Sequence, residues 1–281
     1  VGSLADARDA NLILANGKAL EKLEPDALRK RIMDGATLYW HQPSEPAYGR
    51  FQAAIGAKGV RRSATKSSGV LRKTASPLLY GIAREDFVWT GRLTGWDHKM
   101  EYDGEGSAMR FLPVKKPRVS LPISKQKIEV SHAKDSSFAV LAPKKGLYRM
   151  TFRTVSRAGK PHLAEIFADE TSCGWFRLDT GTQEYETVVN LPKGKSEIAF
   201  AILKIAPWER PGIELSGIRI TPLEYENDAE VLALPGSLVV WKLGKGRVIL
   251  DGSNWHRSSG NERQGRRYMN AFLRNLGATF Q

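Results

Sequence analysis

Residues 237–251 read Ser-Leu-Val-Val-Trp-Lys-Leu-Gly-Lys-Gly-Arg-Val-Ile-Leu-Asp. Two apolar, β-branched runs, Ser237–Leu243 and Arg247–Asp251, flank Gly244-Lys245-Gly246, the pattern of an antiparallel hairpin with a tight turn. Downstream, Asn261 is placed to cap a helix that carries Tyr268, Met269, Phe272, Leu273 and Leu276 on one face and stops at Gly277. A hairpin and one helix are too little to bury those faces alone, so further strands must come from elsewhere in the chain. They are found at its other end. Asn11–Ala15 and Ala36–Trp40 are short apolar runs, and between them Pro25 opens a helix with Leu28, Ile32 and Met33 at helical spacing, ended by Gly35. Strand, helix, strand with short connections is the mark of a βαβ unit and a parallel sheet. The economical solution docks residues 223–281 onto residues 1–127 as one α/β domain made of two separated pieces. Residues 43–75, poor in apolar periodicity, read as a loop or as strand fragments on a basic surface.

From about Ile128 the pattern changes. Short runs (Phe138–Leu141, Tyr148–Val155, Leu163–Phe167, Trp175–Leu178, Glu186–Leu191, Glu197–Leu203 and Ile213–Thr221) alternate with turns rich in Gly, Pro and Lys. Within Tyr148–Val155 every second residue is apolar. Many short strands without a helical stretch predict an antiparallel β-sandwich over residues 128–222, inserted into the α/β domain.

The chain has 281 residues, 41% hydrophobic and 26% charged, which suits two globular domains and excludes a composition-driven disordered chain. No apolar run is long enough to span a bilayer, so no membrane partner is expected. The single cysteine, Cys173, rules out an internal disulfide framework. Val1 follows neither an initiator Met nor a leader pattern, and the expectation is a processed chain or a piece of a longer protein. The net charge is +13, of which residues 1–127 hold +9. Lys58, Arg61, Arg62, Lys66, Arg72 and Lys73 form a run without an acid, which favours polyanions by long-range attraction or simply keeps a face solvated. That run lacks interleaved aromatics for base stacking, so nucleic acid is not the expected partner.

Two stretches, "LRKRIMDGATLYWHQ" (28–42) and "SPLLYGIAREDFVW" (76–89), together with the closing "WKLGKGRVILDGSNWH" and "RRYMNAFLRNLGA", resemble the class I glutamine amidotransferase-like domain appended to some bacterial glycoside hydrolases. The "KGLYRMTFRT" strand, the "YETVVNLPKGKSEIAF" hairpin and "PGIELSGIRITP" resemble carbohydrate-binding modules of the family 6 and 35 type. The fold these resemblances imply is a split flavodoxin/amidotransferase-like α/β domain carrying a jelly-roll-type sandwich. Amidotransferase chemistry is not implied. Cys173 lies in Thr-Ser-Cys-Gly-Trp rather than at a Gly-x-Cys-x-Gly elbow, and none of the five histidines has an acid two positions downstream. The α/β domain reads as a scaffold.

Sugar recognition needs flat apolar faces for the C–H side of a pyranose and planar polar groups for its hydroxyls. Modules of the resembled type place a stacking aromatic in the loop before the last strand, where this chain has Trp208, flanked by Glu209 and Arg210. Trp175 and Tyr185 are further ligand-binding candidates. The competing reading of all three aromatics is packing at an edge or interface. The resembled modules often hold a structural calcium with a Glu-x-Glu pair. Here Glu129 is kept and Ser131 stands where the second Glu would fall, and no other cofactor is implied. As neighbours in a strand, Asp97 and His98 would point to opposite faces and not form a base–orienter pair, and His256 is expected to follow a strand's carboxyl end. Neither group marks a catalytic set. The resulting expectation is a non-catalytic, polysaccharide-binding accessory region of a larger secreted or periplasmic bacterial carbohydrate-active enzyme, whose other domains are further partners. The alternative is a hydrolase or lyase acting on an acidic polysaccharide.

Overall fold

The structure is a computed structural model and describes residues 11–68, 70–71, 76–82, 107–114, 119–130, 136–159, 161–202, 211–234, 236–255 and 262–278. In chain order its elements begin with β1 (Leu12–Asn16), α1 (Pro25–Asp34), β2 (Thr37–His41), α2 (Glu45–Phe51), β3 (Val60–Ser68), β4 (Val70–Leu71) and β5 (Ser107–Pro113). Next come β6 (Lys127–Val130), β7 (Ser137–Ala142), β8 (Gly146–Ser156), β9 (His162–Ala168), β10 (Thr171–Leu178), β11 (Gly181–Leu191), β12 (Gly194–Ile202) and β13 (Ile213–Pro222). The chain closes with β14 (Glu230–Leu234), β15 (Leu238–Leu243), β16 (Gly246–Asp251) and α3 (Glu262–Asn275). Strand outweighs helix about threefold among the described residues, so the molecule is mostly β. The chain divides into two compact units, one of Val1–Thr65, Leu71–Lys115 and Tyr225–Gln281, the other of Lys66–Val70 and Lys116–Glu224.

In the first unit, β1, β2 and β16 are parallel neighbours, and β15 and β14 continue the sheet antiparallel. Leu38 stands opposite both Ile13 and Val248, so the first and last segments of the chain share one sheet. Alternation along β2 sends Trp40 one way, onto Tyr48 and Phe51 of α2, and Tyr39 the other way, onto Phe272 of α3. The hairpin turn explains its own glycines. Lys245 N–H donates to the Met33 carbonyl at the end of α1, and a Cβ on Gly246 would lie 2.1 Å from the Ala36 carbonyl oxygen. The turn therefore caps α1, satisfying a carbonyl that the helix itself leaves open. Within 43–75, read above as loop or strand fragments, the structure has the helix α2, whose Ala47, Tyr48 and Phe51 are buried. Ser44 caps it, its Oγ accepting from Ala47 N–H at 3.3 Å. Met33, placed on the apolar face of α1 by its spacing, is 39% exposed, while Leu28 and Ile32 carry the packing.

The second unit is a sandwich. One sheet runs β10–β9–β12–β7, with Ser67 and Ser68 of β3 paired to Phe176 and Trp175; the other runs β11–β8–β13–β6. All the pairings within it are antiparallel. Alternate residues of both sheets meet in one core, including Phe138, Val140, Met150, Phe152, Ile166, Phe200, Leu215 and Ile220. Cys173 lies in that core. A register shift between Ser216 and Arg219 is taken up at Gly217 (φ +60°), a conformation that suits glycine at a bulge.

Candidate functional site

On β9 the residues Ala164, Ile166 and Ala168 enter the core, which leaves Glu165 and Phe167 on the outer face, both half-buried. Ile198, Phe200 and Ile202 do the same on β12, leaving Glu197, Ala199 and Ala201 outside, and β7 contributes Ser137 and Ala139. The register then builds rows across strands. Phe167 stands opposite Ala199, which stands opposite Ser137; Glu165 stands opposite Ala201 and, on its other side, opposite the backbone position of Trp175. Three alanines keep the middle of the face low beside an aromatic ring and a carboxylate. That arrangement offers an apolar surface and a planar acceptor side by side, the two elements a pyranose needs.

Of the residues singled out from sequence, Trp208, Glu209 and Arg210 lie outside the described residues, as do Asp97, His98 and His256. Trp175 is in β10, separated from the β7 edge by β9 and β12. Tyr185 is half-buried on β11: its ring stacks on Phe152 (centroids 5.4 Å apart, 15° between planes), and its hydroxyl accepts from Asp179 N–H at 2.8 Å. One face of that ring therefore belongs to the edge of the core, and burial raises the phenol's pKa. Glu129 is exposed on β6, directly opposite Glu214 of β13, whose Oε2 pairs with Lys127 Nζ at 2.7 Å. Calcium takes six to eight oxygens. Among the described residues, no three acidic, histidine or cysteine side chains converge, and an ammonium already neutralises one of the two carboxylates here. In the basic run, Arg62 is engaged within its own unit, its Nε donating to the Pro43 carbonyl at 2.7 Å and its guanidinium lying 3.9 Å from Glu45.

A second polar cluster went unmarked in the sequence. The parallel order of β1, β2 and β16 brings Asn16, His41 and Asp251 to one carboxyl edge. His41 is buried between Asn16 Oδ1 (3.2 Å) and the Ser253 carbonyl (2.9 Å), and the Gln42 amide donates to Ser253 O and Asn254 Oδ1, both at 2.8 Å. Gln42 has φ +43°, an uncommon conformation for a non-glycine residue, held by those two bonds. The Asp251 carboxylate is fully buried. It accepts from Tyr39 OH, Tyr268 OH (3.4 Å), Ser253 N–H (2.8 Å) and Ser253 OH (2.6 Å). Burial first, then the charge of Asp251, pushes Tyr39 and Tyr268 well above the usual phenol pKa. The signal available in sequence was a polar residue ending each of three apolar runs.

Compared by sequence, the chain matches no protein-family model and no curated protein. Its neighbours among solved structures are carbohydrate-binding modules, over about a third of its length. A family 35 module from Clostridium thermocellum is 16% identical, with a TM-score of 0.26, over 36% of this chain and 90% of that one. The module CBM6cm-2 from Cellvibrio mixtus lichenase 5A, solved in complex with cellotriose, is 14% identical at a TM-score of 0.26, over 38% of this chain and all of that one. A ruminal GH26 endo-β-1,4-mannanase is 12% identical at 0.27, over 50% of this chain and 25% of that one.

Proposed function

We propose that this chain is a non-catalytic polysaccharide-binding region and that its sandwich unit holds the sugar. The observation that carries the reading is the outer face of the β10–β9–β12–β7 sheet, where Phe167 and Glu165 stand beside the low floor of Ala139, Ala199 and Ala201. Phe167 meets the C–H face of a pyranose and Glu165 accepts from its hydroxyls. Trp208, with Glu209 and Arg210, adds a loop contact at the position implied by the resemblance, and Trp175 extends the Glu165 row. The α/β unit serves as a scaffold of degenerate amidotransferase-like type, and the chain works as an accessory region of a larger secreted or periplasmic carbohydrate-active enzyme. The reading is supported by the treatment of polar groups in that unit, where the carboxyl-edge cluster is consumed by internal hydrogen bonds. Among the described residues no helix is long and apolar enough to cross a membrane.

Affinity electrophoresis of the intact chain on neutral and uronic-acid polysaccharides tests this. Retardation on at least one gel is expected, weakened by Phe167→Ala and by Trp208→Ala. Equal retardation of the wild-type chain and both variants would remove the site. New reducing ends or unsaturated products released by the intact chain, and lost on mutating His98 or His256, would replace binding with catalysis.

A further inference from the structure

We infer that the outward face of α3, together with the exposed ring of Tyr80, is a docking surface on the α/β unit for a carboxylate-bearing polysaccharide, a polyuronate. The inference rests on the reading above for the class of its ligand and concerns a different unit from the sandwich face.

The surface follows from helix geometry. Gly265, Tyr268 and Phe272 form the packed side of α3: both rings are fully buried, and a Cβ on Gly265 would lie 2.4 Å from the Trp255 carbonyl oxygen. At about 100° per residue, Arg263, Arg266, Arg267 and Arg274 all fall on the opposite side, within an arc of about 100°. All four are exposed. They span about 16 Å along the helix axis. Residues 252–281 hold five arginines, no lysine and one acid, Glu262. This distribution costs the helix. Arg263 lies in the first turn, where the positive end of the helix dipole disfavours a cation. It also stands three and four residues from Arg266 and Arg267, the spacings at which like charges repel on a helix surface. A face that only meets water is better served by mixed charge, as in α1, with Asp26 in its first turn and Arg31 in its last.

Tyr80 is the second feature. It is 83% exposed, although Leu78, Leu79 and Ile82 around it pack in the same core as Tyr268 and Phe272. Asn275, next to Arg274, donates from its amide to the Leu78 and Tyr80 carbonyls, both at 2.9 Å. The backbone that carries the ring is thus tied to the C-terminal end of the helix that carries the arginines, and the ring itself is left in water.

Charge complementarity selects the partner. A guanidinium presents a planar fork that takes a carboxylate through two parallel hydrogen bonds, and a flat ring takes the C–H face of a sugar. A polyuronate brings both groups in every residue. A single-stranded nucleic acid asks for a series of stacking rings beside the cations. Among the described residues of α3 and of 76–82, Tyr80 is the one exposed ring.

The test measures binding of the intact chain to polygalacturonate, heparin, poly(U) and a neutral glucan at about 50 and about 200 mM salt. Polygalacturonate is expected to bind best of the three polyanions, its affinity falling about tenfold across that range. Arg263→Gln/Arg266→Gln/Arg267→Gln is expected to weaken it about tenfold at low salt, and Tyr80→Ala about threefold with the salt dependence kept. Removing three charges elsewhere, in the exposed Lys18→Gln/Lys22→Gln/Lys30→Gln variant, is expected to cost less than about twofold. Thermal unfolding of each variant, expected to match the wild type, checks that the helix is intact. Equal losses in the two triple variants would mean diffuse charge and would overturn the surface. So would tighter binding of heparin or poly(U) that is lost with the α3 arginines, which would give this face to another polyanion. Retention on the neutral glucan alone would overturn this surface and leave the polysaccharide reading standing. No retention on any polysaccharide would overturn both.

Discussion

A polar cluster in one unit and an outer sheet face in the other use their polar groups in opposite ways. In the α/β unit, Asp251, His41 and Gln42 lie at the carboxyl edge of the parallel strands, where open α/β sheets commonly place ligands. Yet the bonds they make are to Tyr39, Tyr268, Asn16, Ser253 and Asn254 of the same unit. In the sandwich unit, Glu165 and Phe167 are only half-buried on the outer face of their sheet. Saturated polar groups build architecture, whereas groups held in place but unspent are the ones left to meet a ligand. The contrast makes a demand: damage to the first cluster must appear as lost stability, and damage to the second as lost binding.

The largest effect is expected at Asp251. Replacing it by Ala removes the shared buried acceptor of two tyrosine hydroxyls and the Ser253 donors, at roughly 1–3 kcal/mol per donor left short of it. Chemical denaturation should show the α/β unit weakened by about 4 kcal/mol or more. Retention of polysaccharide should survive where the sandwich stays folded. A loss of binding with stability intact would reverse the roles assigned to the two clusters.

Next is Glu186→Ala in the sandwich. Arg149 and Glu186 form an ion pair with side chains 6% and 12% exposed. Removing the acid leaves a buried guanidinium uncompensated, at about 3–5 kcal/mol. Thermal unfolding of Glu186→Gln, which keeps the shape and loses the charge, should fall between the wild type and the Ala variant.

Alkaline pH separates the units without mutation. The folded state holds Tyr39 and Tyr268 neutral well above their unfolded pKa of 10.0, so it binds more protons than the unfolded chain once the pH passes that value. Their contribution is complete below pH 10 and is lost as the pH climbs from there toward the folded pKa values. Each costs about 1.4 kcal/mol per pH unit over that range. Tyr48 of the same unit shifts in the same direction, mainly through burial. The sandwich's corresponding shift is at the half-buried Tyr185, which water screens. Denaturation followed from pH 9 to 12 should therefore weaken the α/β unit first.

Binding gives a smaller expected change. Phe167→Ala should reduce polysaccharide affinity about tenfold while costing about 1 kcal/mol of stability, since the ring is already partly in water. A variant that unfolds the sandwich while binding still scales with its folded fraction would place Phe167 with the architecture.

Why some of this was legible in the sequence and some was not follows from what each feature depends on. The hairpin at 237–251, α1, and most of the sandwich strands rest on local periodicity, turn glycines and caps, and residues that close in sequence can be read together. The helix α2 was hidden because it has seven residues with Pro46 and Gly49 among them. Its apolar side, Ala47, Tyr48 and Phe51, makes sense only against Trp40 of β2. Asp251 and His41 end separate strands 210 residues apart in the chain, and only the parallel order sets them on one edge. The Phe167 face required the pairing of β9 with β12, because alternation says which residues share a face but not which residue lies opposite. Tertiary register is where sequence reading stopped.

The smallest expected effect concerns Glu129. A cation there would have to compete with Lys127, whose ammonium lies 2.7 Å from the facing Glu214 carboxylate, and two exposed carboxylates fall well short of the oxygens calcium requires. Chelation of the purified chain by EDTA should shift its thermal midpoint by less than about 1 °C, and Lys127→Ala should weaken the sandwich only slightly, as exposed pairs do. A drop of several degrees on chelation, restored by added calcium and abolished by Glu129→Gln, would mean that this edge of the sandwich is closed by a metal. The two units would then differ in a further respect, one held by a buried carboxylate among phenols and the other by an ion between strands.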